Sequence, residues 1–141
     1  MKFKKIQSYR SKEALKLINS DVFVKQWKQL ADDQPIYCRM QEAEMLCLWY
    51  RHYSVVFDPV IFTAFNDSDE LVGFLGMAWD EKSQELRHAG HPQYHGWLAK
   101  SDIEIPFLQE VFRLIQDEFP IQKLSWSVLP PGLSIDVLQS A

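Results

Sequence analysis

Cysteine is almost missing from this chain. Cys38 and Cys47 are the two present, too few and too irregularly placed for a disulfide framework. Long apolar runs are missing too: none approaches the ~20 residues a membrane helix needs, and the N-terminus lacks a signal peptide's apolar core. A cytoplasmic location with no membrane partner is the expectation. Basic excess is also lacking, since 15 Lys and Arg stand against 19 Asp and Glu for a net charge of −4. Nucleic-acid binders usually carry a basic surplus or stripe, so nucleic acid is not an expected partner. The one basic cluster, Lys2, Lys4, Lys5 and Arg10, interleaves with Phe3 and Ile6 as the solvated face of a strand does. Glycine is scarce at five residues, and no glycine-rich phosphate cradle stands at the strand-to-helix crossing where one would be sought.

What the chain has is a core. Its 141 residues are 47% hydrophobic, enough for one domain without metal or disulfide staples. Aromatics reach 13%, with five Trp and nine Phe, so large rings build the interior or a groove. Residues 3–9 alternate as a strand, and 11–18 form a short helix. Ser20 or Asp21 caps the next helix, whose Phe23, Trp27, Leu30 and Ala31 share a face. After the loop at Pro35, a helix over Gln41 to Tyr53 is expected with Met45, Leu48, Trp49 and His52 as its apolar stripe. Trp27 and Trp49 are assigned to the core.

The period then changes. Strand 60–65, a turn at 66–69 and strand 71–79 make a hairpin, and 84–88 adds a third strand. Gly73 and Gly76 lie inside the second of these, where glycine marks a bulge or a close backbone approach. Pro106 opens a helix with Leu108, Val111, Phe112, Ile115 and Phe119 on one face, and 123–129 reads as a last strand. Residues 134–138 look like a helix that is never completed. No repeat, low-complexity stretch or linker interrupts the chain. Condensed, the order is β-α-α-β-β-β-α-β, a mixed sheet with helices on its faces.

The most distinctive text is Glu85-Leu-Arg-His-Ala-Gly-His-Pro-Gln-Tyr-His-Gly-Trp97, at the crossing from the hairpin sheet to the last helix. The spacing of His88, His91 and His95 can supply three imidazoles to zinc, but neither cysteine is near and no H-E-x-x-H helix is present. Ordinary loop histidines are the preferred reading, with no metal site. Gln93, Tyr94, His95 and Trp97 are the candidates for substrate contact, an aromatic platform beside amide and imidazole groups. The competing reading has Tyr94 and Trp97 plugging the sheet end. Tyr94 is a possible general acid and His95 a possible base, but no nucleophile or orienting carboxylate stands out, so no catalytic residue is assigned. Glu42 and Glu44 read as a solvated helix face, and both cysteines as buried thiols.

The order of elements and Asn66-Asp-Ser-Asp-Glu-Leu-Val-Gly73-Phe74 resemble the Gcn5-related N-acetyltransferase (GNAT) superfamily and its "D-G-x-L-V-G" turn and strand. Phe23, Trp27, Leu30-Ala31, Pro35 and Trp49, followed by Leu86, Gly90, Gln93-Tyr94 and Gly96-Trp97, resemble the N-terminal half of cellulose-biosynthesis-type acetyltransferases. Those proteins carry two GNAT-like halves in tandem and are related to the Fem-type aminoacyltransferases. The resemblance covers roughly residues 20–130. It implies a single GNAT-like α/β domain over 1–141, cut short at its C-terminus, as the first half of a tandem.

The family binds coenzyme A with a loop of pattern [RQ]-x-x-G-x-[GA] between the fourth strand and the next helix. Here Arg87-His-Ala-Gly90-His-Pro92 takes that place. Arg87 and Gly90 match, but Pro92 removes an amide that should face a phosphate. The implied role is the acceptor side of an acyltransferase site. The resemblance implies that a small-molecule acceptor binds here, that no cofactor is held in this chain and that acetyl-coenzyme A sits on a second half. Such a chain is not expected to be active alone. The alternative is a non-catalytic module that binds a ligand or protein through residues 87–97. Self-association through the edge of the last strand is expected, unless Leu133, Ile135, Val137 and Leu138 cover that edge.

Overall fold

The computed structural model describes residues 3–34, 41–90, 96–119 and 123–125. They form an α/β arrangement of one six-stranded open sheet between helical layers. Strand β1 (Phe3–Arg10) leads into helix α1 (Ser11–Ile18), α2 (Asp21–Asp32) and α3 (Ala43–Tyr53). Strands β2 (Asp58–Asn66), β3 (Leu71–Asp80), β4 (Glu85–His88) and the two-residue β5 (Leu98–Ala99) follow, then helix α4 (Glu104–Glu118) and β6 (Lys123–Ser125). The sheet order is β1-β2-β3-β4-β6, with β5 on β3 beyond the end of β4. Every pairing is antiparallel except that of β4 with β6, which are parallel and joined by the α4 crossover.

The hairpin at the sheet's centre forms where the sequence is densest in β-branched and aromatic residues. Asn66 closes its turn, its Oδ1 accepting from the amides of Ser68 and Glu70 at 2.9 and 3.0 Å. Asp69 takes the left-handed conformation, φ 61°, that short Asx side chains tolerate. Near that turn Ala64 pairs with Gly73 and Phe65 with Leu71, leaving Val72 as the extra residue of a bulge. Ser20 caps α2 through Oγ, which accepts from the amide of Phe23.

Two buried clusters lie on opposite faces of the sheet. On one, Val60, Phe62, Leu75, Met77 and Trp79 meet Phe107, Leu108, Val111 and Ile115 of α4. On the other, Ile61 and Phe74 meet α1 to α3, and the Trp27 ring stacks on Phe74 at 4.2 Å between centroids. Alternation along β2, with 60, 62 and 64 to one side and 61 to the other, assigns the faces.

Several expectations need correction. The three helices expected over 11–18, from Ser20 or Asp21, and over 41–53 are all present between β1 and β2, so the condensed order is one helix short there, and β5 has no counterpart in the sequence reading. Helix α3 begins at Ala43 and buries Ala43, Leu46, Cys47 and Tyr50; Leu48 is 68% exposed and His52 is exposed. The segment Leu46-Cys-Leu-Trp-Tyr50 is apolar all round, so periodicity alone did not select the face. The Tyr50 hydroxyl, donating to the Met77 carbonyl oxygen at 2.9 Å, fixes the one observed. Trp49 is half-buried, packed against the margin of the helical cluster and among Tyr53 and Phe57, rather than fully inside the core. Helix α4 starts at Glu104, which places Pro106 in its first turn, where a missing amide costs nothing. Of the last expected strand, 123–125 is present; 126–129, and the expected covering residues 133–138, lie outside the described residues.

Gly76 has a specific packing reason. A Cβ there would stand 2.8 Å from Leu46 Cδ1 and 2.8 Å from the Tyr50 hydroxyl oxygen. Because that hydroxyl is held on Met77, it has little room to yield. Gly76→Ala is expected to lose about 1–3 kcal/mol, as overpacked cores do, read as a lower urea midpoint with an unchanged slope.

Candidate functional site

The loop singled out by sequence leaves the sheet at an interruption. Met77 to Asp80 of β3 pair with β4, and Gly73 and Phe74 pair with β5. Leu75 and Gly76 between them face neither strand. Ala89 extends the β4 side by one bond, its amide donating to the Gly76 carbonyl oxygen at 3.3 Å. The remaining groups are satisfied by a side chain. Gln41 Oε1 accepts from the Gly76 amide at 2.9 Å, and its Nε2 donates to the Ala89 carbonyl oxygen at 3.4 Å. The carboxamide thus does the work of a peptide group in a sheet. Gln41 is itself buried, and Trp27 Nε1 donates to its backbone carbonyl oxygen at 2.7 Å.

This bracket sets where the chain departs from the sheet after Ala89. Gly90 is buried with φ 99°, a conformation that side chains rarely adopt. At the far end Gly96 is buried, and Trp97, 1% exposed, packs in the α4 cluster while its Nε1 donates to Glu104 at 3.2 Å. His88, opposite Met77, is 4% exposed, whereas Arg87 is exposed and lies over the Phe57 ring at 5.0 Å. Of the four substrate-contact candidates, Trp97 is therefore a buried anchor of the loop. Gln93, Tyr94 and His95 lie outside the described residues, as do Pro92, His91 and Cys38. Among the described residues no group of three His, Cys, Asp or Glu side chains is arranged to hold a metal.

Two titratable groups lie on α3, Tyr50 against Gly76 and Cys47 against the Ile18 carbonyl oxygen. Burial pushes the Tyr50 hydroxyl well above the ordinary tyrosine range, with Cys47 adding to the effect. Burial likewise raises the Cys47 thiol, against the opposing pull of Arg51 and Lys28. Both stay protonated at neutral pH, Tyr50 as a hydrogen-bond donor and Cys47 as a thiol rather than a nucleophile. Grooves of about 590 Å³ between β1 and α4, and about 650 Å³ between α2 and the 66–71 turn, are not lined by the described loop residues 89–90 and 96–97.

Sequence reading identified the crossing and flagged Gly76, but missed Gln41 and Tyr50. Gly76 was a usable signal of close approach; nothing in the text named what approaches. No family model matches the sequence, no curated protein matches it, and no solved structure matches it. Among the described residues, no helix is long and apolar enough to cross a membrane.

Gln41→Met keeps length and volume but strands the Gly76 amide. It is expected to cost about 1–3 kcal/mol in chemical denaturation, while Gln29→Met on the exposed side of α2 stays within about 0.5 kcal/mol. Equal effects would mean that the bracket contributes nothing.

Proposed function

We propose that this chain is an acyltransferase-type, GNAT-like domain that shapes the acceptor side of a site, with acyl-coenzyme A held on a second half of similar build. The observation that carries the reading is the β4–α4–β6 crossover. Segment 89–97 leaves the carboxyl end of β4, which lies beside and parallel to β6, and open α/β sheets place ligands at such ends. The resemblance puts the family's coenzyme loop at this crossing. Gly90 has the glycine-demanding backbone in its first half, three residues after Arg87.

The assignment to the acceptor side rests on a shortage of anion donors. The Ala89 amide is already bound to the Gly76 carbonyl oxygen, and proline at position 92 has no amide to offer. Gln93, Tyr94 and His95 are the polar groups that would meet a small-molecule acceptor, with Tyr94 as acid and His95 as base. A second reading, a non-catalytic binding module, draws support from Trp97, whose ring is committed to the core, and from the protonated state of Cys47 and Tyr50.

Titration of the isotope-labelled chain with acetyl-coenzyme A, and separately with primary amines such as amino sugars, tests this. No low-micromolar binding of acetyl-coenzyme A is expected, while an amine should shift the Ala89, Gly96 and Trp97 amides. Tight binding of the coenzyme against residues 87–92 would contradict the acceptor assignment. Silence toward every amine would favour the binding-module reading.

A further inference from the structure

We propose that the C-terminal end of α3 and the turn after it attach this chain to an anionic lipid surface. Among the described residues seven large hydrophobic side chains are exposed, and Leu48, Tyr53, Val55 and Val56 are four of them, within nine residues of sequence. Val55 is 89% exposed and Val56 64%. The turn that carries them is held by its own backbone, the amides of Val56 and Phe57 both donating to the Tyr53 carbonyl oxygen at 2.9 Å. Nothing in the packing of the domain requires two adjacent valines to stand out in water. Apolar side chains gathered in this way mark contact with a partner protein or a membrane.

Layering and charge choose the lipid. Behind the valine tip, Trp49, Tyr53 and Phe57 form a ring cluster, with centroids 4.8 Å apart for Trp49 and Tyr53 and 6.2 Å for Trp49 and Phe57. An aliphatic tip backed by aromatic rings matches the depth profile of a bilayer, alkyl groups below and rings at headgroup level. Residues 45–57 contain no acid. Arg51 and His52 are exposed in the last turn of α3, and neither is in an ion pair among the described residues. Of the flanking acids, Glu44 is paired with Lys28 at 3.7 Å, and Asp58 falls on the alternation of β2 that faces α4. The patch therefore offers uncommitted cations beside its apolar tip, which suits anionic headgroups. The whole chain carries a net charge of −4, so the attraction is local and screened by salt. Attachment of this kind needs no spanning helix.

Co-sedimentation of the full chain with vesicles, of phosphatidylcholine alone or mixed with phosphatidylglycerol, tests the proposal. The chain is expected to bind the mixed vesicles about tenfold more tightly than the neutral ones, and less at high salt. Val55→Asp with Val56→Asp, at exposed positions, is expected to stay folded by circular dichroism and to lose about tenfold or more in binding. Arg51→Gln with His52→Gln is expected to remove the preference for the anionic lipid. Ile105→Asp adds an acid at the start of α4, on the other face of the sheet, and is expected to bind as wild type does. Failure to bind either vesicle overturns the proposal. So does undiminished binding by the double aspartate variant, or an equal loss in Ile105→Asp. A dimer in solution that the double aspartate variant dissolves, without vesicle binding, would give the patch to protein contact and overturn it too.

Discussion

A single carboxamide holds the point where the sheet is interrupted. Strand β3 changes partner between its β4 and β5 segments, and the Gly76 amide would otherwise be buried with no acceptor from either strand. Leaving such a group unpaired costs about 1–3 kcal/mol, a large share of a small domain's net stability. Gln41 closes the gap on both sides, to Gly76 and to Ala89. Together with the Ala89 amide's own bond to the Gly76 carbonyl oxygen, this contact fixes the origin of the 89–97 segment.

The surrounding residues follow from the same constraint. Gly76 has no side chain because Leu46, Tyr50 and Gln41 occupy the space. Trp27 holds the Gln41 backbone, and its ring lies on Phe74 two residues before Gly76. Tyr50 binds the next carbonyl along, that of Met77. Helix α3 is thus docked on β3 by the Tyr50 hydrogen bond, and α2 is tied to the same place through Trp27 and Gln41, as well as by apolar burial. The surface ion pairs, such as Lys16 with Glu13 and Lys28 with Glu44 at 3.7 Å each, lie on exposed side chains and add little.

Strand and helix positions were largely legible because their signals are local. The Asx turn at 66–69, the Ser20 cap and the alternation of β2 each rest on a few neighbouring residues. The face of α3 was not legible, since apolar residues surround its middle and a tertiary hydrogen bond from Tyr50 decides the matter. Nor was β5, a two-residue strand whose pairing depends on where β4 stops. At the candidate site the sequence marked the crossing and the special glycines. It assigned Trp97 to ligand contact, whereas its ring is buried against α4. Gln41 escaped notice because a polar residue ahead of a helix looks like a solvated one; only the geometry of the distant β3 edge reveals its partners.

The described ends of the 89–97 segment are both anchored, Ala89 by the Gln41 bracket and Trp97 on Glu104, and the proposal that the residues between them meet an acceptor rests on those anchors. That is the physical content of the acceptor-site proposal, and it requires the bracket to be rigid. Native-state hydrogen exchange at the Gly76 amide measures this most directly. The account predicts exchange only through global unfolding, with the same free energy and denaturant dependence as the central β2–β3 amides. Rapid exchange of Gly76 by local fluctuation, while β2 and β3 remain protected, would contradict it.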